Sequence, residues 1–240
     1  MASNVLAGQC ALITGASRGI GRAIALAMAR AGSDVVLAAR SLSDLQVVAG
    51  EVELLGRAAL PVACDVRYAT QVEATVAEAL KKFGRIDTLV NNAGLGWFGP
   101  VDELPVEKFD EMVAVNLRGP YLFTREVVPA MKRQGKGTIV NVASVAGLVG
   151  NPNLSGYNAT KFGLMGFSES TMLELRQAGI KVSVICPGST ATDFGSGNDA
   201  PGMLSADDVA SAVMAILTAA PNALLSQIHL RPLRPPRARG

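Results

Sequence analysis

The stretch Cys10-Ala11-Leu12-Ile13-Thr14-Gly15-Ala16-Ser17-Arg18-Gly19-Ile20-Gly21 decides the fold. A short apolar run ends at Thr14 and passes at once into glycines spaced G-x-x-x-G-x-G. A helical pattern then begins at Gly19 and runs to about Ala31, where Gly32 closes it. A strand that feeds a helix through glycines is the opening unit of a parallel α/β sheet. The glycines let the backbone turn tightly and come close to a pyrophosphate, while the helix N-terminus aims its positive end at the negative charge. Glycines also mark ordinary turns, so the meaning of this stretch depends on the rest of the chain.

The rest of the chain repeats the unit. Asp34–Ala39, Ala59–Ala63, Asp87–Val90, Thr138–Val142, Lys181–Cys186 and Leu224–Leu230 read as further strands. Helical patterns lie between them: one from a Ser41/Asp44 capping box to about Leu55, then about Tyr68–Phe83. The next is Pro105–Arg133, with a break expected near Gly119-Pro120, followed by Ser155–Ala178 and by a helix that a Ser205/Asp208 box opens and that ends near Ala220. Short apolar strands alternating with helices predict an α/β fold of the Rossmann type. It is a single-domain, doubly wound, seven-stranded parallel sheet with helices on both faces. No Pro/Ser-rich linker interrupts the alternation and no 20–50-residue repeat is present. Residues 1–230 are therefore expected to form one domain and residues 231–240 an Arg/Pro-rich tail.

The composition agrees with a folded enzyme-sized domain and excludes several classes. Of 240 residues, 49% are hydrophobic and 18% charged, which rules out disorder as the dominant state. A net charge of +2 argues against nucleic-acid binding through a broad basic face. Arg231, Arg234, Arg237 and Arg239 supply more than that excess, so the rest of the chain is slightly acidic. No apolar run reaches the length of a membrane span, and the N-terminus lacks the pattern of a signal peptide. Cys10, Cys64 and Cys186 stand far apart beside apolar strands, which suits buried, reduced thiols. A cytoplasmic protein is expected. The single histidine, His229, is too little for a zinc site or a serine triad, and strand alternation places it opposite Ile228, toward solvent.

The end of the second strand bears on the ligand. An acid there would hold a ribose 2′-hydroxyl, whereas an arginine accommodates a 2′-phosphate. The chain reads Ala38-Ala39-Arg40-Ser41, with no acid before Asp44, and Arg18 is a second cation in the glycine loop. NADP(H) is the expected cofactor. Farther on come Asn91-Asn92-Ala93-Gly94 after the fourth strand, Asn116 in the long helical region, Ser144 after the fifth strand, and Tyr157-x-x-x-Lys161. Tyr157 and Lys161, four apart, share one helix face, so the ammonium can lie beneath the phenol. Each of these features alone is weak.

In this order and spacing they are not. From Ala11 to about Ala220 the chain resembles the short-chain dehydrogenase/reductase family, through Thr14–Gly21, Asn91–Gly94, Asn116, Ser144, Tyr157/Lys161 and Pro187-Gly188 with Thr192. Within it, the chain is most similar to the branch of the 3-oxoacyl-[acyl-carrier-protein] reductases. The resemblance implies that Tyr157 is the general acid, giving its proton to the substrate carbonyl oxygen as hydride arrives from the nicotinamide. Lys161 would lower the Tyr157 pKa and bind the nicotinamide ribose, Ser144 would orient the carbonyl, and Asn116 would hold a water that links Lys161 to solvent. It further implies a cofactor site of Gly15, Ser17, Arg18, Gly19, Ile20, Gly21 and Arg40, with Asp65 and Val66 flanking the adenine. Asn92, Ala93 and Gly94 would face the adenosine side, and Pro187, Gly188, Thr190 and Thr192 the nicotinamide carboxamide.

The expected activity is NADPH-dependent reduction of a carbonyl to a secondary alcohol, with a 3-oxoacyl thioester as the leading substrate class. The alternatives are a dehydrogenase of secondary alcohols, sugars or steroids, and a non-catalytic dinucleotide sensor. A homodimer or homotetramer is implied, formed through the helices at about Pro105–Arg133 and Ser155–Ala178. Acyl carrier protein is a candidate partner that Lys132, Arg133, Arg176 and the tail arginines could attract; no metal is expected. Two regions depart from the family pattern. Gly188–Leu204, the substrate loop, carries Gly195, Gly197 and Gly202 and few helix formers, which allows either a mobile flap or a disordered loop. Trp97 and Phe98 could wall the substrate or pack in the core.

Overall fold

A computed structural model describes residues 4–191 and 202–234 of the chain. Its seven strands are β1 (Cys10–Thr14), β2 (Asp34–Ala39), β3 (Ala59–Ala63), β4 (Thr88–Asn91), β5 (Gly137–Val142), β6 (Ile180–Pro187) and β7 (Gln227–Leu230). All pair in parallel, in the order β3-β2-β1-β4-β5-β6-β7. Strand order reverses between β1 and β4, and the crevice beyond their C-terminal ends is where sheets of this kind bind ligands. The helices are α1 (Gly19–Arg30), α2 (Leu42–Leu54), α3 (Ala69–Phe83), α4 (Val106–Val113), α5 (Gly119–Gln134), α6 (Ser155–Leu175) and α7 (Ala206–Leu217).

The doubly wound architecture follows from strands that bury both faces. Ala11 and Ile13 of β1 pack with α1, α2 and α7, whereas Cys10 and Leu12 pack with α3, α5 and α6. Each fully buried Leu or Ile of this kind, such as Leu12, Ile13, Leu89 and Ile139, contributes about 1.5–3 kcal/mol relative to exposure. The edge strand β7 has one wet face: Gln227 and His229 are exposed, while Ile228 and Leu230 turn to the core. The starts of β1 and β4 are tied by Asp87, which accepts from the Cys10 N–H at 3.0 Å and from Arg85 at 2.7 and 2.6 Å.

Three details differ from the expectation. The ladder of β7 begins at Gln227 rather than Leu224, although the Ser226 carbonyl already accepts from Val184. At α2 only half of the capping box forms: Ser41 Oγ accepts from the Asp44 N–H at 3.3 Å, whereas at α7 Ser205 and Asp208 bond reciprocally. The predicted break near Gly119-Pro120 is a widened turn instead. The helix runs on through a π-helical turn, Ala114–Arg118, in which the Gly119 N–H reaches the Ala114 carbonyl five residues back. The cause is Pro120, which has no N–H for the Asn116 carbonyl four residues before it.

Among the described residues no helix is long and apolar enough to cross a membrane. Thr192, Gly195, Gly197 and residues 235–240, with Arg237 and Arg239, lie outside the described residues.

Candidate active site

The glycine loop is built against the loop that comes after β4. Gly15 turns with φ +65°, and a Cβ on it would come within 2.9 Å of Ala93 Cα. One on Gly21 would lie 2.2 Å from the Gly15 carbonyl oxygen and 2.6 Å from Asn92 Nδ2. Neither position has room for a side chain. Thr14 and Asn92 lock the two loops together. Thr14 Oγ1 accepts from the Asn92 and Ala93 N–H groups, both at 3.0 Å, and Asn92 Nδ2 donates to the Thr14 and Gly15 carbonyls at 3.0 and 3.2 Å. Gly15, Ser17, Arg18, Gly19, Ile20 and Gly21 thus form a cradle, with Asn92, Ala93 and Gly94 behind it. The helix it opens, α1, has no side-chain cap and no acid in its first turn, unlike α2 and α7. Among the described residues its first N–H groups have no side-chain acceptor, as an anion site at a helix N-terminus requires.

Arg18, at the start of α1, and Arg40, just after β2, are both exposed. Asp65 comes just after β3, and its carboxylate is gripped by Arg67, with Nε at 3.0 Å from both oxygens and Nη2 at 2.7 Å. That hydrogen bonding, helped weakly by the charge of Arg40, holds the Asp65 pKa below the usual carboxylate range. Arg67 is a partner that no sequence motif marks. Val66 is buried, and a Cβ on Gly119 would come within 3.0 Å of it. What Val66 offers a ligand is chiefly its main chain.

The four predicted catalytic residues meet beyond the ends of β4 and β5. Lys161 is 4% exposed. Its Nζ donates to the Val142 carbonyl at 3.1 Å and lies 5.7 Å from the centre of the Tyr157 ring. Tyr157, also buried, shares a hydrogen bond with Ser144. Ser144 caps the 3-10 turn Val145–Gly147, its Oγ accepting from the Ala146 N–H at 3.1 Å. Asn116 is fully buried and spends both amide hydrogens on protein: Nδ2 donates to the Leu95 carbonyl at 2.8 Å and to Thr160 Oγ1 at 3.1 Å, while Oδ1 accepts from the Leu95 N–H at 2.9 Å. The group of Asn116 better suited to hold a water is thus its main-chain carbonyl, the one that Pro120 leaves without an α-helical donor.

Phe98 meets the Tyr157 ring edge-on, 5.7 Å between centres, and is half exposed, so it forms a wall over the phenol. Trp97 turns instead to α4, where its Nε1 donates to Glu111 at 3.0 Å and Lys108 Nζ sits 3.8 Å from its ring centre. Past β6, the Gly188 N–H donates to the Leu230 carbonyl at 2.8 Å, and Thr190 Oγ1 donates to the Gly188 carbonyl at 3.0 Å.

Burial governs both titrating groups. It pushes the Tyr157 phenol up to about 12, against the lowering that the Ser144 bond provides. Burial also brings the Lys161 ammonium down from 10.5 to about 8. The unfolded chain therefore holds the Lys161 proton more tightly than the folded one. The resulting penalty on folding is complete below about pH 8 and is relieved as pH rises from there to 10.5. Lys161→Met removes the titrating group. Its melting temperature relative to wild type should be highest near neutral pH and should fall steadily toward about pH 9.5; a pH-independent difference in parallel thermal melts would contradict this.

A family model described as short chain dehydrogenase matches residues 9–201. The chain belongs to the short-chain dehydrogenase family. As a member it is an oxidoreductase. A 3-oxoacyl-[acyl-carrier-protein] reductase of Synechocystis sp. is 40% identical over 190 residues, 79% of this chain and 77% of that one. Among solved structures, a metagenomic short-chain oxidoreductase in complex with NADP is similar with a TM-score of 0.86 at 38% identity, over 96% of this chain and 100% of the other. The 3-ketoacyl-(acyl-carrier-protein) reductase of Brucella melitensis complexed with NADH gives 0.87 at 36% identity, over 94% and 97%.

In this short-chain dehydrogenase two further residues, which spacing alone does not reveal, pack against the loop of Ser144. Asn158, the neighbour of Tyr157, bonds to the loop that Ser144 opens. Gly147 in that loop lies flat on α6, where a Cβ would come within 2.9 Å of the Lys161 carbonyl oxygen. The one signal in the sequence is the Asn itself, a polar residue adjoining the tyrosine, and it does not stand out because α6 also buries Thr160, Lys161, Ser168 and Thr171. Lys132 and Arg133 lie in the last turn of α5 and Arg176 in the 3-10 turn after α6, and the two connections that follow meet where Gly179 approaches the Gly135 carbonyl. They lie at the edge where β5 and β6 begin, opposite the edge that carries Ser144 and Tyr157.

Proposed function

We propose that this short-chain dehydrogenase is an NADPH-dependent carbonyl reductase, with 3-oxoacyl thioesters as its leading substrate class and Tyr157 as its general acid. The observation that carries the proposal is a buried phenol, protonated at neutral pH and bonded to Ser144, one helical turn from a buried ammonium. It stands at the same sheet edge as a glycine cradle. The residues fit a dinucleotide: the missing Cβ atoms of Gly15 and Gly21 let the loop fold tightly against Asn92 and Ala93, and α1 begins there with no side-chain cap and no acid in its first turn.

The cradle of Gly15, Ser17, Arg18, Gly19, Ile20 and Gly21 would hold the pyrophosphate, and Arg18 with Arg40 a 2′-phosphate. Asp65 and Val66 would flank the adenine, and Asn92, Ala93 and Gly94 the adenosine side. Tyr157 and Lys161 would bind the nicotinamide ribose, and Pro187, Gly188, Thr190 and Thr192 the carboxamide. When bound, the reduced nicotinamide supplies hydride to the carbonyl carbon.

The chain's own residues handle the proton. Ser144 Oγ bonds to the carbonyl oxygen, orients it and stabilises the charge growing on it. Tyr157 Oη gives its proton to that oxygen, and Lys161 stabilises the phenolate left behind. A water on the Asn116 carbonyl would resupply, by way of Lys161, the proton that the Tyr157 phenolate takes up to complete the cycle. Phe98 forms an apolar wall beside the reacting carbonyl. We further propose that residues 1–230 fold as one domain with 231–240 as a tail. Self-association would run through α5 and α6, which leave Tyr121, Phe162 and Leu173 exposed.

The test is cofactor oxidation measured with an acetoacetyl thioester, a diketone, a quinone and a sugar. Selective turnover of the thioester supports the substrate class; reduction of several simple carbonyls and not the thioester overturns it. On an active substrate, kcat/KM with NADPH should exceed that with NADH by about tenfold or more, as loss of a charge-assisted bond predicts. Arg40→Asp should reverse the preference. A wild-type preference for NADH would refute the assignment of Arg18 and Arg40.

A further inference from the structure

We propose that Asn158 is a positioning residue that holds Ser144 in register with Tyr157. The inference rests on the roles given to those two residues above.

Asn158 lies in the first turn of α6 and is 7% exposed. Its Nδ2 donates to the Val149 carbonyl at 2.8 Å and to the Ala146 carbonyl, and its Oδ1 accepts from the Asn151 N–H at 3.4 Å. All three partners belong to the loop that Ser144 opens. Ala146 is the link: its N–H holds Ser144 Oγ at 3.1 Å, and its carbonyl is held by Asn158. One helix therefore carries Tyr157 and, through the next residue, grips Ala146, the residue whose N–H orients Ser144. Gly147 completes the fit by letting the loop touch the Lys161 main chain.

The chemistry is specific to an amide. Two donors and one acceptor are used at once, and the bond to Ala146 is buried, so without it the Ala146 carbonyl is left without a partner, whereas the Val149 carbonyl still accepts from Asn151 Nδ2 at 3.3 Å. Ala supplies none of the three, Asp supplies no donor, and Ser supplies a single one. Without the amide, the turn Val145–Gly147 can tilt on α6, and Ser144 Oγ then leaves the line between Tyr157 and the substrate oxygen. A misplacement on the order of 1 Å in such a group lowers rate about a hundredfold.

The test is a double-mutant cycle on the full chain with NADPH and an accepted carbonyl: Ser144→Ala, Asn158→Ala and the double variant. Asn158→Ala alone should lower kcat by about 10–100-fold while leaving NADPH affinity unchanged; in the Ser144→Ala background it should lower kcat by no more than about threefold further. Asn158→Ser should recover part of the loss. The alkaline limb of the kcat/KM profile should move to higher pH in Asn158→Ala as it does in Ser144→Ala, because both remove the bond that lowers the Tyr157 pKa. Multiplying losses in the double variant, or an unmoved limb, would overturn the proposal and leave Asn158 a structural residue. If Asn158→Ala does not fold, the same cycle is run with Asn158→Ser, with the same two outcomes. A Ser144→Ala enzyme of unchanged kcat would instead refute the role of Ser144, and the positioning role with it.

Discussion

Tyr157→Phe is expected to lower kcat by about a thousandfold, within the range that positioned proton donors contribute, while NADPH binds within about threefold of wild type. The substitution deletes one oxygen and keeps the ring. The edge-on contact with Phe98 survives, and Ser144 keeps its bond to the Ala146 N–H. No other described group can replace the phenol as donor. Lys161 lies behind the ring, tied to the Val142 carbonyl, and Ser144 is too weak an acid. Single-turnover kinetics would read the chemical step and a fluorescence titration would read NADPH affinity. Turnover close to wild type would refute the general-acid role. Loss of both turnover and NADPH binding would mean that the phenol holds the cofactor more than it serves the proton.

The second large effect is expected at Gly21. In Gly21→Ala the new Cβ would meet the Gly15 carbonyl at 2.2 and 2.8 Å and Asn92 Nδ2 at 2.6 Å. Two of these contacts are backbone, so the loop itself must move. Overpacking of this kind destabilises by about 1–3 kcal/mol. Here the displaced atoms are those of the cradle, and the loss should therefore appear twice: as a lower melting temperature and as NADPH affinity weakened by about a hundredfold. Gly50→Ala is the control. Gly50 lies in α2, away from the glycine loop, and a Cβ added to it would have nothing within 4 Å, so this change should raise stability by about 0.5–1 kcal/mol through helix propensity alone. Equal behaviour of the two variants would show that the close approach at Gly21 is not needed.

Much of this is legible in the chain without its structure. Strands buried on both faces must be nearly all apolar, and runs such as Cys10–Thr14 and Ile139–Val142 can be little else. Tyr157 and Lys161 stand out because helical spacing converts a four-residue interval into a shared face. What stays hidden depends on contacts between distant segments. Asp65 looks free until Arg67 folds back on it, and Asn158 looks like surface until the 146–151 loop covers it. The widened turn at Ala114–Arg118 reads as a break in the sequence, because a proline signals a missing donor but not how the helix will absorb it. The carboxamide-side Thr192 lies outside the described residues.

The unfinished first turn of α1 has a consequence for the life of the protein in a cell. Whatever anion settles there completes the helix, so ligand supply and chain survival become linked by mass action. Molecules without it are expected to open at the glycine-rich turn more readily, and limited proteolysis with and without NADPH would read the difference. A shortage of nucleotide would then thin the population of the enzyme as well as slow it.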